Sequence, residues 1–516
     1  MKIERTKNAI RNIIFGIILR IYQLLVPFLM RTAMIYFMGV RYLGLSGLFT
    51  SILSVLNLAE LGVGSAMIFS MYKPIVDDDT KKICALMRLY KIYYRMIGLS
   101  IAAVGVILTP FIPRLISGDV PNDINIYILY LLNLSATVLS YWLFAYKNSI
   151  LHAFQRTDIV SKVSIVTSSI QYFLQLAVLI FWRDYYLYVI VAFLSQALTN
   201  VLTAYHANKL YPQFKPIGKV EREEVKQINL RIKDLFTSRI GGVIYDSADT
   251  IVISAFLGLT TLAIYQNYFY ILNAITGFIT VILNACTAGI GNSIVAETKN
   301  KNYEDLNKFT FIICWISGFC ATCLLCLYQP FMECWVGEEL MLDLSAVICF
   351  TAYFFIRQIN ALLNLYKDAS GMWHEDRFRP LAASLVNLFL NLILVQTIGI
   401  YGVILSTVLA IICVGGPWLL HNLFTVIFDR RYLLPYLKRL LINCVYVILS
   451  GALTYLICSL TDLPLMLTLL ARGIICCIVP NVLFYFAYRK RKEFYESVIL
   501  ADKVTKGRFD LERMIR

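Results

Sequence analysis

The chain has 516 residues, of which 59% are hydrophobic and 15% charged, with a mean hydropathy of +0.69 and a net charge of +15. This composition excludes a water-soluble globular protein, which carries roughly 25% charged residues. Because a bilayer about 30 Å thick accepts apolar runs of about 20 residues as helices, we expect an all-α, polytopic membrane protein. The basic residues are dispersed over many loops and form no single basic face, which argues against a nucleic-acid partner.

Apolar segments follow one another along the whole chain. The first comes after Lys2, Arg5, Lys7 and Arg11 and continues to about Met38, so it is too long for the apolar core of a signal peptide and is interpreted as a membrane helix. Short polar connections separate many of the others, which predicts antiparallel hairpins. The fourteen predicted spans are 12–38, 43–71, 96–113, 124–146, 163–181, 185–205, 235–257, 262–295, 309–330, 344–366, 381–398, 400–427, 440–459 and 465–488.

The positive charges alternate between connections. If the amino terminus is cytoplasmic, the external loops hold only Arg41, Arg114 and Arg183 of the 47 Lys and Arg residues. The external loop 331–343 carries four acidic residues and no Lys or Arg. Since positive charges on short loops are retained in the cytoplasm, this bias predicts that both termini are cytoplasmic.

Two sequence echoes indicate an internal repeat. Residues 42–45 (YLGL) resemble residues 256–259 (FLGL) at an offset of 214, and residues 171–176 resemble residues 387–392 at an offset of 216. Six spans per unit return the chain to the same side, which predicts two parallel repeats related about the membrane normal. The expected divisions are an N-terminal six-helix lobe at 1–211, a cytoplasmic linker at 212–234, a C-terminal six-helix lobe at 235–428, and two additional helices with a basic tail at 429–516.

Charged residues inside the predicted spans are the main functional clue, because such groups are costly in lipid and face a bundle interior or an aqueous cavity. Helical spacing places Arg20 and Arg31 on one face of the first span, and Arg239 and Asp246 are seven residues apart. The intramembrane charges are Arg20, Arg31, Glu60, Arg239, Asp246, Asp249, Arg357 and Arg472.

These charges allow two interpretations. They could pair with one another as packing contacts, for example Arg31 with Asp246. The arginines nevertheless outnumber the acids by five to three, and a bound anion would balance the excess. The planar arginine fork suits phosphate, whereas Glu60, Asp246 or Asp249 could bind a proton or a sodium ion whose gradient drives transport.

Three cysteines of one predicted span, Cys320, Cys323 and Cys326, have spacing that is also typical of metal and redox sites. No histidine or carboxylate lies near them in the sequence to complete such a site. We therefore assign them to helix packing and predict no metal site.

The second predicted span carries a family resemblance. Its segment Tyr42-Leu-Gly-Leu-Ser-Gly-Leu-Phe49, followed by Asn57-Leu-Ala-Glu60-Leu-Gly-Val-Gly-Ser-Ala66, resembles the start of Wzx-type polysaccharide flippases. These belong to the polysaccharide transporter family within the superfamily of the lipid II flippase MurJ and the MATE antiporters. The fourteen-span plan and the repeat extend the resemblance over essentially the whole chain.

The resemblance implies a flippase of the bacterial cytoplasmic (inner) membrane that carries an undecaprenyl-pyrophosphate-linked oligosaccharide to the outer leaflet by alternating access of its two lobes. Arg20, Arg31, Arg239 and Arg357 would then bind the pyrophosphate, and Arg472 would line a lateral groove for the lipid tail. The implied partners are membrane lipids, a polysaccharide polymerase and glycosyltransferases.

Two other functions stay open. An ion-coupled multidrug or cation antiporter of the same fold would favour acidic groups in its cavity. A membrane-embedded glycan polymerase would need a large external loop or clustered acid, base and metal ligands. The chain has no phosphate-binding loop of the type G-x-x-x-x-G-K-[ST], and we assign it no catalytic residue and no cofactor.

Overall fold

A computed structural model describes residues 5–118, 120–461 and 463–504, and all regular structure within these ranges is helical. The helices are α1 (Arg5–Phe37), α2 (Val40–Leu56), α3 (Val63–Val76), α4 (Thr80–Leu108), α5 (Ile126–Trp142), α6 (Asn148–Ala153), α7 (Thr157–Phe181), α8 (Tyr185–Leu210), α9 (Arg222–Ala296), α10 (Lys299–Val336), α11 (Leu344–Ala369), α12 (Trp373–Asp376), α13 (Arg379–Ile398), α14 (Ile400–Ala410), α15 (Gly416–Val426), α16 (Leu433–Ser459), α17 (Leu465–Tyr488) and α18 (Lys492–Val504).

The predicted all-α, multi-pass membrane fold is confirmed. In the part of the chain that the structure describes, twelve helical stretches are long and apolar enough to cross a bilayer, and the pair α5 and α6, bent by 45°, makes a thirteenth. One of the twelve, α9, has 75 residues and departs from helical geometry at Gly258. The two parts of α9 on either side of Gly258 are each more than 50 Å long at about 1.5 Å per residue, so they account separately for the seventh and the eighth predicted spans.

By its contacts the chain divides into two compact units, the first ending at Ala263 and the second beginning at Ile264. The division falls inside α9, later in the chain than the boundary expected from the repeat. The lobe boundaries at 211, 234 and 428 rest on the sequence repeat and stay a prediction.

The same pattern of helix packing recurs in both units. In the first unit α4 packs on α5, α7 packs on α8, and α5 packs on α8. In the second unit the corresponding helices pack in the same pairs, namely α10 on α11, α13 on α14, and α11 on α14. Helices related by the predicted repeat therefore make equivalent contacts within their own units.

The two copies of the sequence echo meet within the first unit. A Cβ atom added to Gly44 in α2 would lie 2.1 Å from the backbone oxygen of Leu259, so only glycine permits this approach. The neighbouring Gly258 has a φ of +87°, and beside it the Ser117 amide donates to the Ser254 carbonyl at 2.8 Å. The first part of α9 is thereby held closely against α2 and the segment after α4.

Each unit also contains a buried charge cluster beside the start of a repeat-related helix. Near the start of α7, the fully buried Asp158 accepts from Arg156 at 2.9 Å and pairs with Lys162 at 3.4 Å. Near the start of α13, Arg379 binds Asp376 with two hydrogen bonds of 2.7 Å. Both acids are fully partnered, which is what buried charges require.

Candidate polar pathway in the first unit

Along one side of the first part of α9, four exposed residues carry charged side chains or none, and the large apolar residue between them, Leu235, is half-buried against Gly62. At 100° per residue the four exposed residues fall within an arc of about 80° and extend over about 22 Å of helix. We call this face the α9 stripe, and it consists of Arg231, Arg239, Gly242 and Asp246, all exposed. A lipid-facing surface would need apolar side chains here, so the stripe has the character of a surface that borders water.

A cavity of about 690 Å³ lies at the first end of the α9 stripe. The Arg231 guanidinium lies 4.8 Å from the centre of the Phe69 ring and contacts the Ser70 hydroxyl at 3.5 Å. The remaining lining is strongly charged and comes from the end of α3, the start of α4 and the start of α9: Lys73, Pro74, Asp77, Asp79, Lys82, Glu223, Glu224, Gln227 and Ile228. The cavity can therefore hold a large polar group that carries a positive or a negative charge.

The first helix carries a second polar face. Arg20 and Gln23 are exposed on α1, and Arg31 is half-buried with Pro27 between them on the same face. Arg31 takes part in a polar or charged interaction. The predicted alignment of Arg20 and Arg31 on one helix face is thus present in an intact α1.

The second predicted span is broken in its middle. A 3₁₀ turn at Asn57–Glu60 separates α2 from α3, and Gly62 follows with a φ of +87°. A Cβ atom at Gly62 would lie 2.6 Å from the Leu235 Cβ, so glycine is needed for both the backbone angle and the contact with α9. Discontinuous helices of this kind form the binding sites of many transporters, because they expose polar groups at mid-membrane depth.

Glu60 lies at this break and is held by tyrosines from two other helices. Its two carboxylate oxygens accept from the Tyr94 hydroxyl of α4 at 2.7 Å and from the Tyr141 hydroxyl of α5 at 2.8 Å. Tyr90 donates to the Tyr94 hydroxyl at 2.6 Å, and Asn57 Oδ1 lies 3.2 Å from Tyr141 Oη. The half-buried carboxylate is thus fixed by neutral hydroxyl donors.

The other predicted site residues have different surroundings. Asp249, one turn beyond Asp246, is only 7% exposed, and both acids take part in polar or charged interactions. Arg357 of the second unit donates to the Tyr353 hydroxyl at 2.7 Å. Arg472 donates to the Thr461 hydroxyl at 3.2 Å and to the Cys326 carbonyl at 3.5 Å, which ties α17 to α10.

The structure thus places six of the eight predicted residues in the first unit and two in the second. It joins Arg239 and Asp246 on one exposed face, with Arg20 exposed on another helix of the same unit. Sequence reasoning missed Arg231, which it counted among the topology-setting loop charges, and the tyrosines around Glu60. The i, i+4 spacing of Tyr90 and Tyr94 and the glycine at position 62 were the available signals.

No protein-family model matches the chain, and a search of curated proteins finds no match either. Solved structures do match. The lipid II flippase MurJ in an inward closed conformation aligns at a TM-score of 0.63 and 16% identity, covering 92% of this chain and 99% of that chain. An inward-facing multidrug resistance MATE family transporter aligns at 0.60 and 15% identity, covering 78% and 97%.

A MATE transporter of Vibrio cholerae aligns at a TM-score of 0.53 and 14% identity, covering 82% of this chain and 97% of that chain. At such identities the likeness concerns the fold, because one fold can serve many functions. The chain therefore has the polytopic all-α fold shared by the MurJ flippase and the MATE transporters.

Proposed function

We propose that this chain is a flippase that carries an undecaprenyl-pyrophosphate-linked oligosaccharide from the cytoplasmic to the outer leaflet of the bacterial cytoplasmic membrane, for the synthesis of a surface polysaccharide. The α9 stripe carries this proposal. It gives a charged head group exposed polar positions that are spaced over about 22 Å of a helix long enough to cross a membrane.

The charges of the stripe suit a phosphorylated head group. Arg231 at the cavity and Arg239 farther along α9 are both exposed, and Arg20 is exposed on α1. Guanidinium groups bind phosphate oxygens with two parallel hydrogen bonds and stay charged when water is removed. Arg31 completes the proposed cationic set of the first unit, and Arg357 is proposed as a separate phosphate-binding cation of the second unit. The protein named lipid II flippase among the structures of this fold supports a lipid-linked substrate.

The acidic residues of the first unit are candidates for coupling transport to an ion gradient. Glu60 accepts two hydroxyl donors at a helix break, and Asp246 lies on the same exposed face as Arg239. We propose that Glu60, Asp246 and Asp249 bind the coupling proton or sodium ion. Cation binding at Asp246 would also change the electrostatic attraction of the stripe for a phosphate at Arg239.

The remaining elements follow the topology expected from the charge bias. Both termini are cytoplasmic in this proposal, so the cavity at Arg231 opens to the leaflet where the substrate is made. The six-helix lobes at 1–211 and 235–428 alternate between inward and outward states, and Arg472 borders a lateral groove for the lipid tail. In this proposal glycosyltransferases act before the transport step, and a polysaccharide polymerase acts after it.

An ion-coupled cation antiporter is the second candidate. Two observations favour it: the presence of Asp234 and Asp246 beside the arginines of α9, and the MATE transporters among the structures of this fold. The two functions differ in the sign of the charge that the stripe must hold.

Transport of a fluorescent undecaprenyl-pyrophosphoryl oligosaccharide in proteoliposomes tests the proposal. The intact protein should move the lipid, and Arg239→Ala should slow transport by about 10- to 100-fold, the range for a hydrogen bond to a charged group. Lys209→Ala, which removes an exposed cation at the end of α8 away from the stripe, is the matched control and should transport normally.

A different pattern would sink the flippase assignment. If the intact protein moves none of several pyrophosphoryl glycans under proton or sodium gradients and instead exports a cationic dye, the antiporter is the better description. Equal transport by Arg239→Ala and Lys209→Ala would remove the stripe from the substrate pathway while leaving the flippase assignment in place.

A further inference from the structure

Four cysteines meet in the second unit. The Sγ atoms of Cys326, Cys458 and Cys476 all lie within 4.8 Å of one another. These residues are 1%, 1% and 0% exposed, and Cys323 packs against them from one turn earlier in α10. We call these four residues the thiol cluster.

Close helix packing brings the thiol cluster together. Cys326 lies on α10, Cys458 near the end of α16 and Cys476 in the middle of α17, and each pair of these helices is in contact. A Cβ atom added to Gly318 of α10 would lie 2.7 Å from the Val447 side chain of α16 and 3.1 Å from the Phe484 ring of α17. The three helices are thus held tightly, and the thiols meet in a preformed arrangement.

The spacing of the sulfurs matches a metal site. With a metal–sulfur bond of about 2.3 Å, the sulfurs of a trigonal or tetrahedral site are about 3.7–4.0 Å apart. Three Sγ atoms within 4.8 Å of each other need shifts of less than about 1 Å per atom to reach this geometry. Thiolate ligands select soft cations such as Zn²⁺ and Cu⁺ over the hard cations Mg²⁺ and Ca²⁺.

Arg472 supplies the balancing charge. Its guanidinium donates to the Cys326 carbonyl at 3.5 Å and to the hydroxyl of Thr461, which lies three residues after Cys458. Three thiolates around Zn²⁺ carry a net charge of −1, as do two thiolates and one thiol around Cu⁺. The single positive charge of Arg472 makes either set neutral, which is the condition for burial in an apolar interior.

We propose that the thiol cluster binds one thiophilic d¹⁰ cation, Zn²⁺ or Cu⁺, through the three sulfurs of Cys326, Cys458 and Cys476. Binding replaces thiol protons by the metal, so Zn²⁺ releases three protons from the three-thiolate set and Cu⁺ releases two. The bound ion fastens the hairpin of α16 and α17 to α10. This role is structural and independent of the proposed transport function.

Metal loading of the full-length protein in nanodiscs tests the proposal. The protein is incubated with Zn²⁺ alone or with Cu⁺ alone, washed with a weak chelator, and its metal content is measured by mass spectrometry. The expected result is about one ion per chain for one of the two metals, with proton release in weakly buffered solution. The separate incubations with Zn²⁺ and with Cu⁺ show which of the two cations the thiol cluster retains.

Cys476→Ser and Cys458→Ser should each weaken binding by more than about 100-fold, since loss of even an outer partner of a metal site costs 10- to 100-fold. Cys477→Ser is the matched control, because Cys477 is the next residue of α17 and is exposed. It should bind the metal as the intact chain does. Proton release by the unmodified protein keeps the test valid if a serine variant fails to fold.

Three outcomes would overturn the proposal. The first is that the intact protein retains neither metal after washing. The second is that the Cys476→Ser variant retains as much metal as Cys477→Ser. The third is that the denatured chain carries no metal and its mass is lower than that of the reduced chain by two hydrogens. The last result would identify a disulfide within the cluster instead of a metal site.

Discussion

The α9 stripe and the Arg379–Asp376 pair show two ways in which this chain keeps charge within its helical units. Arg379 is 5% exposed and donates twice to Asp376 and once to Asn364 at 2.6 Å. Asp376 also accepts from Asn422 at 3.2 Å. Arg239 and Asp246 are instead exposed on one face of a helix that is long enough to cross the membrane.

The two kinds of charge have different roles, because the buried charges belong to the packing and the exposed charges are candidates for transport. A buried charge with complete hydrogen bonding is part of the packing, and its removal leaves the partner charge unpaired. An exposed charge inside a span is costly in lipid, so we expect water or a ligand beside it. Substitutions in the first class should change stability, and those in the second should change transport.

The largest effect is expected at the buried pair. Arg379→Ala leaves Asp376 buried without its bidentate partner and should destabilise the protein by about 3–5 kcal/mol. Thermal unfolding in detergent measures this loss, with the exposed neighbour Arg377→Ala as the control. Equal melting temperatures for the two variants would contradict the structural assignment of Arg379.

The α9 stripe should behave in the opposite way. Arg239→Ala should leave the melting temperature unchanged, because the side chain is exposed, while the flipping rate falls by about 10- to 100-fold. Arg239→Lys keeps the charge but loses the planar fork, so its rate should lie between those of the alanine variant and the intact protein. A melting temperature that falls with the rate would place Arg239 among the packing residues.

Glu60 is intermediate between the two classes, since it is half-buried and held by hydroxyl donors. Tyr94→Phe removes one charge-assisted hydrogen bond and should cost about 1.5 kcal/mol of stability. In Glu60→Gln the same tyrosine substitution should cost less, because the acceptor is neutral. Thermal unfolding of the two single variants and the double variant gives the coupling energy, and additive effects would show that the Tyr94–Glu60 contact contributes nothing.

The smallest effect should come from a surface ion pair. Lys492 of α18 lies 3.1 Å from Glu304 of α10 and is 66% exposed, so solvent and salt screen the interaction. Lys492→Ala should give no measurable change in either melting temperature or flipping rate. A clear drop in the melting temperature or in the flipping rate would show that this surface charge contributes to packing or to transport.

Much of the fold was predictable, because the bilayer imposes a length and a polarity on every span. The alternation of loop charges supported the predicted number of membrane spans, and the offset of 214 to 216 residues indicated the internal repeat. The break at Asn57–Glu60 was not predicted, since an apolar run does not show where its backbone leaves the helix. The position of Gly62 beside Leu235 depends on packing between segments that are far apart in sequence.

The candidate sites were predictable only in part. Intramembrane charges identified Arg239 and Asp246, and helical spacing placed them on one face. The thiol cluster was missed, because Cys326 is separated by more than one hundred residues from Cys458 and Cys476, and only the contacts of α10 with α16 and α17 bring them together. The assignment of these cysteines to packing considered sequence neighbours alone.

The contact of Gly44 with Leu259 has an evolutionary consequence. If the two halves arose by gene duplication, most positions in each copy were afterwards free to drift separately. Position 44 was not, because a methyl group there would lie 2.1 Å from the carbonyl oxygen of the other copy's motif. A substitution at position 44 would therefore require a backbone change near Leu259, so these two positions are expected to evolve together.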